Sequence, residues 1–315
     1  MQNEMQRAME SQAGELRRME SDTGVVIPMA ERLANRRVIV IGTGTSWHAA
    51  AQGAMLLRHA HVDAWAMSSV DFALDGPAVA PGDVVIAMTH TGAKRFTAAA
   101  LARAHDRGAE TLVISGIGAV GADLETVARE KSAAYTVSHL GALFRLAQLA
   151  TAAGADLGDL AAVPDNVEHS LSSGSLGVDP PRRLLEFIGG GINQWTAAEG
   201  ALKVRETAYV ASEGLGIEQF LHGPSVALRD GDTLICLDGG GPWSDRLSEV
   251  ATAAERSGVK VVILRASGLS EPLSIFPLTV MVQRIALESA AKLGTNPDSF
   301  GRDVVGREAW ADIKL

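Results

Sequence analysis

Glu199, Lys203 and Glu206 stand at i, i+4 and i+7 in the segment Glu199-Gly-Ala-Leu-Lys203-Val-Arg-Glu206. On a helix that spacing puts two carboxylates and one ammonium on a single face. Sixteen residues after Glu206, His222 sits in Leu221-His-Gly-Pro224, a turn able to fold it back beside that face. A carboxylate, a cation and an imidazole are the parts needed to move protons on a small polar substrate. A Glu–Lys pair at this spacing is also an ordinary surface pair worth about 0.3–0.5 kcal/mol. The helix alone does not decide.

Its place in the chain adds weight. Ile41-Gly-Thr-Gly-Thr-Ser-Trp-His through Arg58 aligns without a gap on Ile188-Gly-Gly-Gly-Ile-Asn-Gln-Trp through Arg205, an offset of 147, with Ile, two Gly, Ala-Ala, Gly-Ala and Arg coinciding. Asp83–Met88 matches Asp232–Leu237, and Arg107–Ile114 resembles Ser257–Leu264, at nearly the same offset. A period this long implies two similar domains rather than a solenoid, whose repeats run about 20–50 residues. The chain's 315 residues have room for both.

Each half alternates strand and helix. Arg37–Ile41, Val84–Met88 and Thr111–Ile114 are short apolar runs rich in β-branched residues, separated by Ala-rich helical stretches at Ala49–His59 and Phe96–Arg107. Such runs predict parallel strands buried on both faces, hence an α/β fold of doubly wound sheets. Residues 1–24 read as a lead-in helix, 25–160 and 178–290 as two domains, and 291–315 as a tail. Ala152–Val178, with Pro164, several serines and Gly174, reads as the connection.

Charge and composition exclude several classes. With 37 acidic against 28 basic residues the formal charge is −9, and no basic run offers a footprint for nucleic acid. No 18-residue apolar run and no charged-then-apolar leader stands out, so the chain reads as neither membrane-spanning nor secreted, and cytoplasmic by default. One cysteine excludes an intrachain disulfide, and no Cys/His cluster has zinc spacing. Cys236, inside the apolar run Leu234–Leu237, reads as a buried structural thiol.

In an open α/β sheet, ligands bind beyond the carboxyl ends of the strands, near helix N-termini. Two loops take that position: Gly42-Thr-Gly44-Thr45-Ser46 after the first strand, and Thr89-His90-Thr91-Gly92 after the strand ending at Met88. Both combine glycine, which lets the backbone approach a ligand, with hydroxyls that donate to anionic oxygens. Thr and Ser are also helix caps, so one loop alone could be a capping device. Two such loops on one sheet favour a phosphate. A dinucleotide fits less well: Trp47 stands where the Rossmann fingerprint needs its third glycine, and Asp63 precedes an apolar stretch when it should end a strand.

Together these pieces resemble the double sugar-isomerase (SIS) domain family, particularly the isomerase half of glucosamine-6-phosphate synthase and its stand-alone relatives. Glu4–Gln12 on to Leu16 is similar to the family's lead-in helix, and Gly44-Thr-Ser-Trp-His-Ala49 to its first phosphate loop. Glu199–Glu206 and His222-Gly-Pro224 are similar to its most specific catalytic motifs, and Asn296-Pro-Asp298 to the start of its tail. The resemblance implies two tandem SIS domains, each a parallel, flavodoxin-like sheet flanked by helices, and a phosphosugar ligand. Its phosphate would be held by Thr45, Ser46, Thr89 and Thr91, with Gly44, His90, Gly92, Lys94 and Glu199 completing the binding set. Glu206 would shuttle a proton between C1 and C2 through an enediol, His222 would assist ring opening, and Lys203 would steady the open-chain substrate or developing charge. It further implies a homodimer with shared active sites, His222 reaching across, and no metal or cofactor.

The departures from the family pattern also inform. The second phosphate loop lacks its third hydroxyl, Lys94 standing there instead, and the tail has no lysine before Lys314. That favours a relative of the synthase acting on a different phosphosugar. A glutaminase half is missing, so glutamine-driven amidotransfer is not expected of this chain. The reading is a phosphosugar aldose–ketose isomerase, or a deaminase or deglycase of an amino-sugar phosphate. The rivals are a non-catalytic phosphosugar sensor and, less well supported, a nicotinamide oxidoreductase. Of the other histidines, His48, His59, His61 and His105 read as packing or surface residues, and His139 as a candidate only if a helix starts there. Trp195 and Trp243 read as core or interface.

Overall fold

The computed structural model describes residues 2–92, 94–307, 310 and 313, which fall into two units. The first comprises Gln12–Glu130 and Val137–Ala161, and the second Met1–Ser11, Lys131–Thr136 and the chain from Ala162 onward. In chain order the elements are α1 (Glu4–Glu20), α2 (Ile27–Glu31), β1 (Arg37–Gly42), α3 (Thr45–Arg58), β2 (Asp63–Ser68), α4 (Ser69–Asp75), β3 (Val84–Met88), α5 (Arg95–Asp106), β4 (Glu110–Ser115), β5 (Leu124–Glu125) and α6 (Val137–Ala152). There follow α7 (Val163–Ser172), β6 (Leu185–Gly189), α8 (Asn193–Thr207), β7 (Ser212–Gly216), α9 (Ile217–Leu221), β8 (Thr233–Asp238), α10 (Ser244–Arg256), β9 (Lys260–Arg265) and α11 (Ile275–Leu293).

The apolar runs form parallel strands, as the sequence predicts. The first unit carries the sheet β2-β1-β3-β4-β5 and the second β7-β6-β8-β9, every pairing parallel. The central strands β3 and β6 are buried at every position. That is why β3 reads as the unbroken apolar run Val84–Met88 rather than an alternating one, while β6 buries Glu186 among its apolar residues. The first unit's order is the flavodoxin-like 2-1-3-4-5 winding, and the second repeats its first four places. The segments aligned at Ile41 and Ile188 end topologically equivalent strands, β1 and β6.

In the first unit Ile39 and Ile41 pack with Phe72 of α4, Val85 of β3 and Ala100 of α5. Helix α3 meets α6 so closely that a Cβ on Gly53 would stand 2.5 Å from Leu146. In the second unit Phe187 of β6 packs with Val204 of α8 and Val282 of α11 on one face. Ile188, Phe220 and Val250 pack with α9 and α10 on the other. A Cβ on Gly200 would lie 2.9 Å from Val282, so α8 and α11 also meet at a glycine.

Three findings refine the sequence reading. Residues 152–178, read as a connection, carry α7, which packs on α11, and Arg284 of α11 donates to the carbonyls of Ser170, Ser173 and Gly174. The lead-in helix α1 is shared, its residues to Ser11 lying in the second unit and the rest in the first. One described helix, Pro272–Leu293, is long and apolar enough to cross a membrane, but 78% of that window is buried inside the protein, as a core helix would be.

Candidate functional site

In the first unit, the order β2-β1-β3 places a topological switch point between β1 and β3, where ligands of such sheets bind. Both loops with glycine and hydroxyls leave the sheet there. Gly42 ends β1 under the first turn of α3, and a Cβ on it would collide with Ser46 O at 2.1 Å. Gly44 follows at φ 59° and precedes α3 without a side-chain cap, so backbone alone opens that helix. Thr45 and Ser46 are its first residues, both half-buried.

The second loop is braced from within. Thr89 is buried and its Oγ1 accepts from Gly92 N at 3.1 Å, while Gly92 takes φ 69°. His90 Nε2 accepts from Glu130 N at 3.1 Å, which requires the neutral ring. Burial, aided by Arg129, accordingly pushes its pKa down to about 4. Thr91 is half-buried and Lys94 exposed, and Ala93 between them lies outside the described residues. The structure thus gathers Gly44, Thr45, Ser46, Thr89, His90, Thr91, Gly92 and Lys94 at the carboxyl ends of two neighbouring strands.

The equivalent place in the second unit is filled by the protein itself. Gly189 repeats the device of Gly42, a Cβ there lying 2.3 Å from Asn193 O. Beyond it the indole of Trp243, from the β8–α10 loop, covers the glycines so closely that a Cβ on Gly190 would stand 2.3 Å from the ring and one on Gly191 2.7 Å. Nothing in the run Gly239-Gly-Gly-Pro-Trp243 distinguishes such a plug from an ordinary core tryptophan.

Helix α8, which leaves β6, carries the charged triad. Glu199 is fully buried, Lys203 is 1% exposed, and only the side chain of Glu206, 15% exposed, reaches solvent. Lys203 Nζ lies 3.3 Å from Glu199 Oε1 and donates to Glu206 Oε2 at 2.6 Å. Burial works against the Lys203 charge, but the two carboxylates outweigh it and hold its pKa above the ordinary lysine value. This is a desolvated, ordered group and not a solvated surface pair. Gln52 of α3 is fully buried at the position aligned with Glu199, so the charge belongs to the second unit alone.

His222 stands apart from the triad. It caps α9, its side chain is 80% exposed, and its Nε2 lies 3.8 Å from Glu218 Oε2. Within the described chain the carboxylate beside it is therefore that of Glu218. Of the other histidines named from the sequence, His59, His61 and His105 are exposed and His48 is half-buried, while His139 is buried on α6, a helix that does start at Val137. Cys236 is buried, its thiol pushed up to about 12 by burial and by Glu255 and Asp238.

Beside Glu206 is a cavity of about 540 Å³, walled by the end of α8 on one side and the tail on the other. How the tail is fastened has no signature in the sequence. Tyr209 follows α8 at φ 57°, a conformation costing about 1 kcal/mol or more outside glycine. There its hydroxyl lies 2.7 Å from Ser299 Oγ and accepts from Gly301 N at 3.1 Å. Thr295 Oγ1 donates to Thr207 O at 2.7 Å, and Asp298 accepts from the first amides of α1, Glu4 N at 2.8 Å and Met5 N at 3.0 Å. A carboxylate at a helix N-terminus both caps it and complements its dipole. Lys314, noted in the tail, lies outside the described residues.

The SIS domain model matches residues 33–151 and 182–272, one segment in each sheet. The chain belongs to the SIS domain family. Among curated SIS relatives, glutamine–fructose-6-phosphate aminotransferase (isomerizing) of Pyrococcus horikoshii is 27% identical over 300 residues, covering 83% of this chain and 50% of that protein. The protein of the same name from Gloeobacter violaceus is 29% identical over 305 residues, covering 83% and 50%. The chain spans about half the length of these curated relatives. Among solved structures, a glucosamine-6-phosphate deaminase from Thermotoga maritima superposes with TM-score 0.77 at 19% identity over 94% of this chain and 97% of its own. A tagatose-6-phosphate ketose/aldose isomerase from Escherichia coli gives 0.73 at 19% identity, covering 93% of each chain. At these identities the likeness to the solved structures is one of fold.

Proposed function

We propose that this SIS protein is an enzyme acting on a sugar phosphate, an aldose–ketose isomerase or a deaminase or deglycase of an amino-sugar phosphate, working by proton transfer between C1 and C2. The observation that carries this reading is the triad on α8. Two carboxylates and one ammonium amount to a single net negative charge, and the one member that reaches solvent is Glu206, at the mouth of a cavity. An aldose–ketose shift needs one carboxylate within reach of both carbons' protons, held in one place through the reaction.

In this reading Glu206 takes the proton from one carbon and returns it to the other. Lys203 is too deeply buried to lie against a sugar, and serves as the positioning residue that fixes the Glu206 carboxylate. Glu199 keeps Lys203 charged and in place. Thr45, Ser46, Thr89 and Thr91 hold the phosphate, with Gly44 and Gly92 letting the backbone approach, while His90 braces the second loop from behind and Lys94 supplies a charge. His222, exposed on its turn, serves in ring opening for a second copy of the chain in a homodimer. The names of the relatives and structural neighbours support a sugar-phosphate substrate. The two tandem domains fit an internal duplication in which only the first copy keeps its cradle, Trp243 having filled the second.

The test is proton NMR in D2O with hexose 6-phosphates and 2-amino-2-deoxyhexose 6-phosphates, with ammonia assayed in parallel. Deuterium entering at C1 or C2 without ammonia selects the isomerase, and ammonia release selects the deaminase. Binding of these sugars with no exchange at either carbon overturns the enzyme reading and leaves a sensor.

A further inference from the structure

One buried carboxyl in the second unit has no part in the proposed reaction. Glu186, the second residue of β6, is 1% exposed, and its Oε1 has no hydrogen-bond partner among the described residues. By strand alternation it shares a face with Ile188, the face that packs with Ile217 and Phe220 of α9 and Val250 of α10. Its neighbours in register are Glu213 of β7 and Leu234 of β8. The fold does not demand a carboxyl here. Ile39 of β1, aligned with Glu186 at the offset of 147, is an ordinary core residue paired in register with Trp65.

A thin cover closes this face. From the end of β7 the chain runs through α9, five residues long, to the His222 turn and a 3-10 turn at Pro224–Ala227. Ile217 and Phe220 are its buried anchors, with Leu221 and Leu228 half-buried beside them. Arg183, just before β6, donates to Ala227 O at 2.7 Å and pins the far end of the cover at the start of that strand. A segment with so few buried side chains belongs to the low-stability end of a fold, where local opening begins. The charged groups around Glu186 leave it unpaired among the described residues. Glu213 is exposed on the edge strand β7, and Asp232, before β8, is taken by Arg183. On α9, Glu218 is held by Arg246 of α10 at 2.7 Å and stands beside His222. The other charged groups of α10, Asp245, Glu249, Glu255 and Arg256, are exposed.

We infer that Glu186 is a proton-held latch for this cover. Protonated, it lies neutral beneath the segment Ile217–Leu228, which stays shut. Ionised, it is an uncompensated charge beside Glu213, and the segment opens to let water reach it. In the closed form burial, then Glu213, pushes its pKa up to about 8 from an ordinary 4.5. In the open form the carboxyl is in water and regains the ordinary value. Opening is therefore hardest below about pH 4.5, grows easier as pH rises, and levels off above about 8. The strands beneath do not follow, because β6 is paired on both sides and β7 is clasped to α8, where a Cβ on Gly214 would lie 2.1 Å from Ala197 O. His222 rides on the segment that opens. Its consequence for turnover, a looser His222 in alkaline solution, rests on the role proposed above for that residue in ring opening.

Backbone hydrogen exchange of the full chain, read by mass spectrometry at about pH 6 and about pH 9 and corrected for the intrinsic pH dependence of exchange, tests this without any substrate. The inference predicts that protection over residues 217–228 falls by about tenfold or more between the two. Sub-denaturing urea should leave that exchange unchanged, because a local opening exposes little surface. Glu186→Gln, which keeps the shape and cannot ionise, should remove the pH-dependent loss. Glu213→Gln takes away the neighbouring negative charge, lowers the pH at which Glu186 ionises in the closed form, and should shrink the loss. Every other titratable group is the same in wild type and Glu186→Gln, so their difference reads Glu186 alone. An equal pH-dependent loss in the two chains overturns the latch. Exchange of the segment that accelerates with urea in step with that of β8 reports global unfolding, and overturns it too. No sugar phosphate is present, so either failure leaves the enzyme reading standing, and a failure of deuterium wash-in at C1 or C2 leaves the latch standing.

Discussion

The ammonium of Lys203 lies 2.6 Å from Glu206 Oε2 and 3.3 Å from Glu199 Oε1, with Lys203 and Glu199 both closed to solvent. Removing one partner of such a buried pair leaves an uncompensated charge, at a cost of about 3–5 kcal/mol. Lys203→Met should therefore destabilise the fold by that order in urea denaturation. Adding Glu199→Gln to it should recover much of the loss, since no full charge then remains buried at that position. If Lys203→Met costs under about 1 kcal/mol, the range for an exposed pair, the triad is not the desolvated group described here.

Glu186 gives a signed pH dependence. It is buried near the start of β6, its Oε1 lacks a hydrogen-bond partner, and it pairs in register with Glu213 of β7. Burial, then Glu213, pushes its pKa up to about 8 from an ordinary 4.5. Its folded-state value is raised, so its contribution is fully present below about pH 4.5 and is lost as pH rises through about 8. Glu186→Gln should thus be close to neutral at pH 4.5 and stabilising at pH 9, on the order of 2–4 kcal/mol. Equal effects of the substitution at the two pH values would contradict the assignment.

The Trp243 plug predicts a steric result. Gly190→Ala puts a Cβ 2.3 Å from the indole and should cost about 1–3 kcal/mol by overpacking. Trp243→Ala in the same chain should remove most of that added cost, a coupling read from a double-mutant cycle. Additive effects would mean that the two residues do not meet.

The sequence disclosed the winding of the sheets because fully buried parallel strands leave unbroken apolar runs, as in Val84–Met88. It also disclosed the α8 triad, because helical spacing alone puts Glu199, Lys203 and Glu206 on one face. It did not disclose which member is exposed, since that depends on how α8 meets α11 at Gly200. His222 was legible as a motif but not as a partner, its turn being set by packing that sequence spacing does not encode. The fastening role of Tyr209 and the cap that Asp298 sets on α1 escaped because each acts on residues 90 or more positions away along the chain. Trp243 escaped because a tryptophan after three glycines has no sequence signature that separates plug from core.

The central claim is that Glu206 moves the proton, and solvent deuterium wash-in at C1 or C2 of a bound sugar phosphate tests it most directly. The account predicts measurable exchange in the wild-type protein and a loss of about 10²–10⁴-fold in Glu206→Gln, the range for a positioned general base, with sugar-phosphate affinity retained. Exchange that continues in Glu206→Gln at the wild-type rate would contradict it and assign the chemistry to another residue.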